Sequence, residues 1–267
     1  MCEAARAGSR DARMGPSVFV HGPDVLIDTP EESRLQLARS GVSSIGAALY
    51  SHWHPDHTAG RRVWEVNFDF RGWPREAKQT TCTPVYLPQQ VARDFEAYLG
   101  LADQFRYLEH LGVVRIHEVA DGDAIELGGV RITSFRLAED YVYAFVFEED
   151  GRRALIAMDE LYRWTPPREL GRFDVAFLPV GLFEHDPFTS ERLIHPEHPL
   201  LELEATYAET IEIVRALETD RVVLSHVEHM DGVTHDLLAR LGRRDGWEPA
   251  YDGMTIDVGA PSGAESL

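Results

Sequence analysis

A chain of 267 residues that is 44% hydrophobic can bury a sizeable core, in one large domain or two small ones. Its 45 acidic against 26 basic residues give a formal net charge of −19, which repels phosphate backbones at long range and makes a small-molecule substrate a better candidate partner than nucleic acid. No run of about eighteen apolar residues could span a bilayer. The opening MCEAARAGSRDARMG carries charges where a secretory signal needs an apolar stretch, and Cys2 and Cys82 are too few for a disulfide framework, so a soluble cytoplasmic protein is expected.

Short β-type runs are predicted at residues 17–20, 25–27, 47–50, 84–87, 113–119, 130–135, 141–147, 154–158, 175–180, 222–224 and 255–258. Residues 31–40, 89–99 and 203–217 place apolar side chains at three- and four-residue spacing and are predicted as amphipathic helices. The middle of the chain reads as consecutive strands joined by turns such as Asp121-Gly122-Asp123 and Gly128-Gly129, and the second half alternates strands with helices. Mixed sheets flanked by helices, an α/β class, are the expected outcome. Residues 183–199, FEHDPFTSERLIHPEHP, hold three prolines and three histidines and read as a long loop of the functional kind. A single domain over residues 1–258 is expected, with 259–267 as a disordered tail.

The chemistry concentrates in SHWHPDHTAG, residues 51–60, directly after an apolar run. Alternate residues of an extended segment point the same way, so His52 and His54 can chelate one cation. Asp56 and His57 follow where Pro55 starts a turn, and they can face a second cation. A histidine-rich surface loop is the plain alternative. Three histidines and an aspartate within six positions, in a chain with 12 histidines, weigh against chance.

HxHxDH after an apolar strand resembles the signature of the metallo-β-lactamase superfamily, matched one for one by His52, His54, Asp56 and His57. Other segments resemble it in the same order: LIDT at 26–29 its early strand ending in an aspartate, ALIAMD at 154–159 the strand whose aspartate bridges two metals, and VVLSH at 222–226 the late strand ending in a metal histidine. The resemblance runs from residue 16 to residue 258 and implies an αββα sandwich, two mixed sheets packed face to face with helices outside. It also implies two divalent metal ions, zinc first and manganese or iron as alternatives, held by His52, His54, Asp56, His57, Asp159 and His226. Asp159 closes an apolar strand, where a cation would offset the cost of a buried carboxylate, although it could instead cap the next turn. His226 could likewise be a hydrogen-bonded core histidine, and Asp28 suits the task of orienting the histidine loop.

Two departures stand out. The superfamily takes a further histidine for its first metal from the loop before the bridging aspartate, and here that region reads FRLAEDYVY, residues 135–143. Glu139 or Asp140 substitutes, or His185 reaches in, or the first site is weak; an oxygen-rich site would favour manganese or iron. The chain is also similar to subgroups related to the phosphoribosyl cyclic phosphate phosphodiesterase and the pyrroloquinoline-quinone accessory protein B. These begin with a glycine-rich strand and a CxCxxC segment. Met1-Cys2-Glu3 resembles the end of that segment, so an upstream extension is expected, with Cys2 a structural-zinc ligand or simply a surface cysteine.

The same resemblance implies a metal-dependent hydrolase, a phosphodiesterase that cleaves a small-molecule phosphodiester, cyclic ones included, with a metal-bound hydroxide. Asp56 would orient the water, and His198 and His229 are the candidates for protonating the leaving oxygen. Cytoplasmic features argue against a true β-lactamase, and the missing histidine against a glyoxalase-type thioesterase. A tRNA 3′-processing nuclease shares the motif layout but needs a basic surface. A metal-depleted binding or accessory protein is the alternative from another class. Trp64, Phe68, Phe70 and Trp73 could line a pocket, form a homodimer contact or fill the core.

Overall fold

A computed structural model describes residues 2–68, 81–228 and 231–259. The chain opens with helix α1 (Cys2–Arg6) and divides into two compact units: a first unit, Met14–Phe135, and a second unit comprising Met1–Arg13 and Arg136–Leu267. Two mixed β-sheets with helices make up the architecture, an α/β fold. Among the described residues no helix is long and apolar enough to cross a membrane.

In the first unit, β1 (Val18–Val20), β2 (Val25–Ile27), β3 (Ala47–Leu49), β4 (Thr83–Pro88) and β5 (Val114–Val119) lie side by side in sequence order. The β1–β2 pair is antiparallel and every later pair is parallel. Strands β2 and β3 are buried at every position, which is why they read as unbroken apolar runs rather than alternating ones. Helix α2 (Ser33–Arg39) lies within the predicted 31–40, while α3 (Pro55–Thr58) and a 3₁₀ segment (Ala59–Asn67) continue from the histidine motif. Helices α4 (Gln89–Ala97) and α5 (Leu101–His110) supply Phe95 and Phe105, whose rings each sit 5.5 Å from Tyr50 at the end of β3. Burying an aromatic ring of this size contributes about 2 kcal/mol. The Tyr50 hydroxyl is held by Thr29 Oγ1 at 2.8 Å and by the Trp64 indole N–H at 3.0 Å. Trp64 is therefore core; Phe68 is half-buried, and Phe70 and Trp73 lie outside the described residues.

The hairpin of β6 (Ala124–Leu127) and β7 (Val130–Arg136) turns at Gly128 and Gly129. Both glycines have positive φ, 59° and 88°, as a tight two-residue hairpin turn requires. The second unit contains β8 (Tyr143–Glu149), β9 (Arg152–Ala157), β10 (Val175–Pro179), helix α6 (Tyr207–Ala216), β11 (Val222–Ser225), helix α7 (His235–Asp245) and β12 (Glu248–Pro249). Strand β8 pairs antiparallel with β9, and β9, β10, β11 and β12 run parallel in that order. Thr206 and Glu209 form a reciprocal cap that starts α6 four residues later than the predicted 203. Residues 255–258, expected as a strand, form none; the edge position on β11 is taken by β12 instead. The Arg221 guanidinium reinforces that pairing by donating to both Glu248 oxygens, at 2.9 and 2.8 Å.

Candidate metal centre

Strand β3 stops at Leu49, and residues 50–54 run on without a sheet partner into α3. His54 is extended, φ −58° and ψ 150°, as the residue before a proline prefers, and Pro55 opens the helical turn, where a missing N–H costs nothing. That turn folds the motif back on itself. The rings of His52 and His54 lie 4.5 Å apart, those of His52 and His57 4.1 Å apart, and Asp56 Oδ2 is 3.3 Å from His57 Nε2. Backbone bonds lock the arrangement: the Thr29 N–H donates to the His57 carbonyl at 2.7 Å, and the Gly60 N–H donates to the Thr29 carbonyl at 2.8 Å.

Asp28, fully buried and with φ of +59°, organises the nitrogens. Its Oδ1 accepts the Ser51 N–H at 2.8 Å, and its Oδ2 accepts the Ser51 hydroxyl at 2.6 Å and His57 Nδ1–H at 2.7 Å. Because the Ser51 proton goes to Asp28, the Ser51 oxygen accepts from His52 Nδ1 at 3.0 Å. One carboxylate therefore sets the tautomer of two imidazoles, directing the lone pair of each to Nε2.

In the second unit, Asp159 follows β9 and His226 follows β11, two parallel strands away. Ala176 of β10 is level with Leu155 on one side and Val222 on the other, so residues four further along each strand, Asp159 and His226, emerge at the same height. His226 Nε2 lies 3.6 Å from Asp159 Oδ1, and His226 Nδ1 lies 3.4 Å from Glu228 Oε1. His226 and Glu160 both have positive φ, 52° and 45°. Non-glycine residues hold such backbones at a cost of about 1–3 kcal/mol, and they cluster where function fixes the geometry. Glu160 Oε1 accepts the Tyr162 and Ala205 N–H groups at 2.6 and 3.2 Å. Burial, reinforced by Asp159 and Glu204, nevertheless pushes its carboxyl up to about 8 against those bonds. The Glu204 carboxyl is also raised, by burial and by Asp159. Burial raises the Tyr141 phenol, and Glu160, Asp159, Glu139 and Glu204 add to the effect.

These elements carry a known pattern. The family model described as the β-lactamase superfamily domain matches residues 22–227. The chain belongs to the β-lactamase superfamily. Among solved superfamily-like folds it resembles a diphosphatase of the PhnP family, with a TM-score of 0.65 and 24% identity over 91% of this chain and 84% of that one. It also resembles zinc-bound PqqB from Methylobacterium extorquens, with a TM-score of 0.65 and 17% identity over 96% and 92% of the two chains. The short form of human tRNase Z shares the fold with a TM-score of 0.60 and 16% identity over 91% and 92%. No curated protein sequence matches.

Within this superfamily chain, the motif residues His52, His54, Asp56 and His57 come together in the first unit, as Asp159 and His226 do in the second. The donor chemistry of the histidine loop fits a cation: neutral imidazoles oriented through Nδ1 are the form in which histidine binds metal. In the loop that lacks the superfamily histidine, Glu139 is half-buried and Asp140 exposed, across a turn closed by Leu137 and Val142. His185 is exposed and lies 3.6 Å from Glu184. His198 is exposed, with Nδ1 accepting the Leu200 N–H at 3.3 Å, and His195 makes the same bond to Glu197 at 3.2 Å. His229, the Cys2 side chain and residues 260–267 lie outside the described residues. Sequence reasoning missed Glu160 and Glu204. Glu160 directly follows Asp159, but only its burial distinguishes it from the many solvated acids.

Proposed function

We propose that the chain is a divalent-metal-dependent hydrolase acting on a small-molecule phosphodiester, cyclic diesters included. The observation that carries this reading is the relay from Asp28 through Ser51 to His52 and directly to His57, which has no purpose in a solvated surface loop. The ligands we assign are His52, His54, Asp56 and His57 from the first unit and Asp159 and His226 from the second. The family match supports the joint assignment because it takes in both sets. Bound divalent cations supply Lewis acidity and lower the pKa of water. A nitrogen-rich set favours zinc; Glu139 in place of the superfamily histidine would shift the balance toward manganese or iron.

The chain's own groups then have defined tasks. Asp28 holds a proton on His57 Nδ1 and, through Ser51, on His52 Nδ1, so both rings keep their orientation through turnover. Asp56, with 42% of its side chain exposed, orients the attacking water and accepts its proton. His198 is suited to protonate the leaving oxygen: its Nδ1 accepts a backbone N–H, which leaves the proton on Nε2. His229 is the second candidate for that role. The formal charge of −19 favours a small diester over tRNA, and the fold shared with a PhnP-family diphosphatase is consistent with phosphorus chemistry.

Metal analysis combined with turnover of bis-p-nitrophenyl phosphate, with zinc and with manganese, tests the proposal. Turnover that requires metal and disappears in His54→Ala supports it. Two bound metals without turnover would favour an accessory binding protein, and cleavage of precursor tRNA lost in the same variant would favour a nuclease.

A further inference from the structure

Beside the histidine loop the first unit presents an aromatic shelf. Trp53, between the proposed ligands His52 and His54, stacks on Tyr98 with ring centroids 4.2 Å apart and planes 25° apart. The same indole meets the His54 ring edge-on at 4.6 Å and 80°. The loop backbone beside it is pinned by the Thr58 hydroxyl, which donates to the His54 carbonyl at 2.9 Å and lies 3.3 Å from the Trp53 carbonyl. Tyr98 ends α4 in an extended conformation and leaves 45% of its surface to solvent; Leu99, its neighbour, leaves 53%. Leu99 and Gly100 are both left-handed, with φ of 55° and 61°. Leucine adopts such a backbone only at a cost in strain, and here it recovers little through burial.

We infer that this shelf binds a planar aromatic ring joined to the substrate phosphate, a nucleobase or an aryl group, by extending the Trp53–Tyr98 stack. The inference rests on the hydrolase reading above and narrows its substrate class. A third ring on the exposed Tyr98 side would extend the parallel pair, and Trp53, which lies between His52 and His54 in the chain and meets the His54 ring edge-on, ties that stack to the histidine loop. The charge balance points the same way. A chain of net charge −19 offers an anionic substrate no long-range attraction, so affinity has to come from local contacts, and stacking on an aromatic face is a contact that charge does not oppose.

Calorimetric titration of the full chain, zinc-loaded and metal-stripped, with phenyl phosphate, adenosine monophosphate and methyl phosphate decides the matter. The expected result is tighter binding of the two aromatic phosphates than of methyl phosphate. The preference should fall by about tenfold in Tyr98→Ala and also in Trp53→Leu. Tyr98 is exposed, so its variant remains informative if Trp53→Leu disturbs the loop. A stronger effect on adenosine monophosphate assigns a nucleobase, and a stronger effect on phenyl phosphate a simple aryl ester. Equal binding of aromatic and methyl phosphates, or a preference that survives both substitutions, overturns the inference. Absence of phosphodiester turnover with metal supplied would sink the hydrolase reading and leave the stacking result standing.

Discussion

Asp28 Oδ2 accepts the His57 Nδ1 proton at 2.7 Å, with both side chains fully buried, and the bond joins the end of β2 to the helical turn that carries the motif. Asp28→Asn keeps the shape and tolerates the φ of +59°, but it removes the charge that fixes two imidazole tautomers. Metal affinity should fall by about 10- to 100-fold, the usual cost of losing such a supporting carboxylate. Competition against a chromophoric chelator measures it; unchanged affinity would refute the relay.

Removing metal should destabilise the protein. A cation at a hundred times its Kd adds about 2.7 kcal/mol to the folded state, so Tm should drop on chelation and recover with zinc. In His52→Ala and in Asp159→Ala the recovery should shrink. A scanning fluorimetry series in which zinc shifts neither wild type nor variants would contradict the ligand assignment.

Gly60 stands where the backbone of the motif touches the segment after β2. A Cβ there would lie 1.8 Å from the Pro30 carbonyl oxygen, while the Gly60 N–H donates to Thr29. Backbone cannot yield as a flexible side chain can, so Gly60→Ala should cost about 3 kcal/mol or more, among the larger single-substitution effects. Urea unfolding would show this as a lower midpoint with the m-value retained.

A pH dependence follows from the way the N-terminal segment meets α7. His235 is buried. Its backbone N–H donates to Asp11 Oδ1 at 2.6 Å, its ring Nδ1 faces Arg13 at 3.5 Å, and its ring meets Tyr251, which Arg10 covers at 4.1 Å. Burial, with Arg13 and Arg10 adding, lowers its pKa below the ordinary 6.5, against the opposing pull of Asp11 and Asp236. The folded state thus binds this proton less readily than the unfolded chain. The associated stability is fully present above about pH 6.5 and is lost as pH falls through that value toward the lowered one. The raised Glu160 and Glu204 carboxyls act in the opposite direction in wild type and variant alike, so the Tm advantage of wild type over His235→Gln should shrink between about pH 7.5 and pH 5.5; a difference that does not change with pH would contradict the assignment.

Much of the fold was legible because its signals are local. Buried strands such as β2 and β3 announce themselves as apolar runs, and β2 has the predicted bounds 25–27. Where the reading failed, the deciding interaction was not local. Strand β6 is a short AIEL segment that becomes a strand by pairing with β7, and residues 248–249 pair with β11 where 255–258 do not. Helices α5 and α7 went unread although α7 carries a threonine cap and a left-handed glycine, Gly246, at its end.

The sequence by itself determined the family and the make-up of the histidine loop, since HxHxDH fixes its residue types and spacing in six consecutive residues. Tertiary structure alone decided which nitrogen of His52 and His57 carries the proton, because that depends on Asp28, 29 residues before His57. It also levelled Asp159 with His226, through the register of two parallel strands against β10. It set Glu160 apart from the other acids, because the energy of a carboxylate depends on burial, and burial is a property of the folded chain.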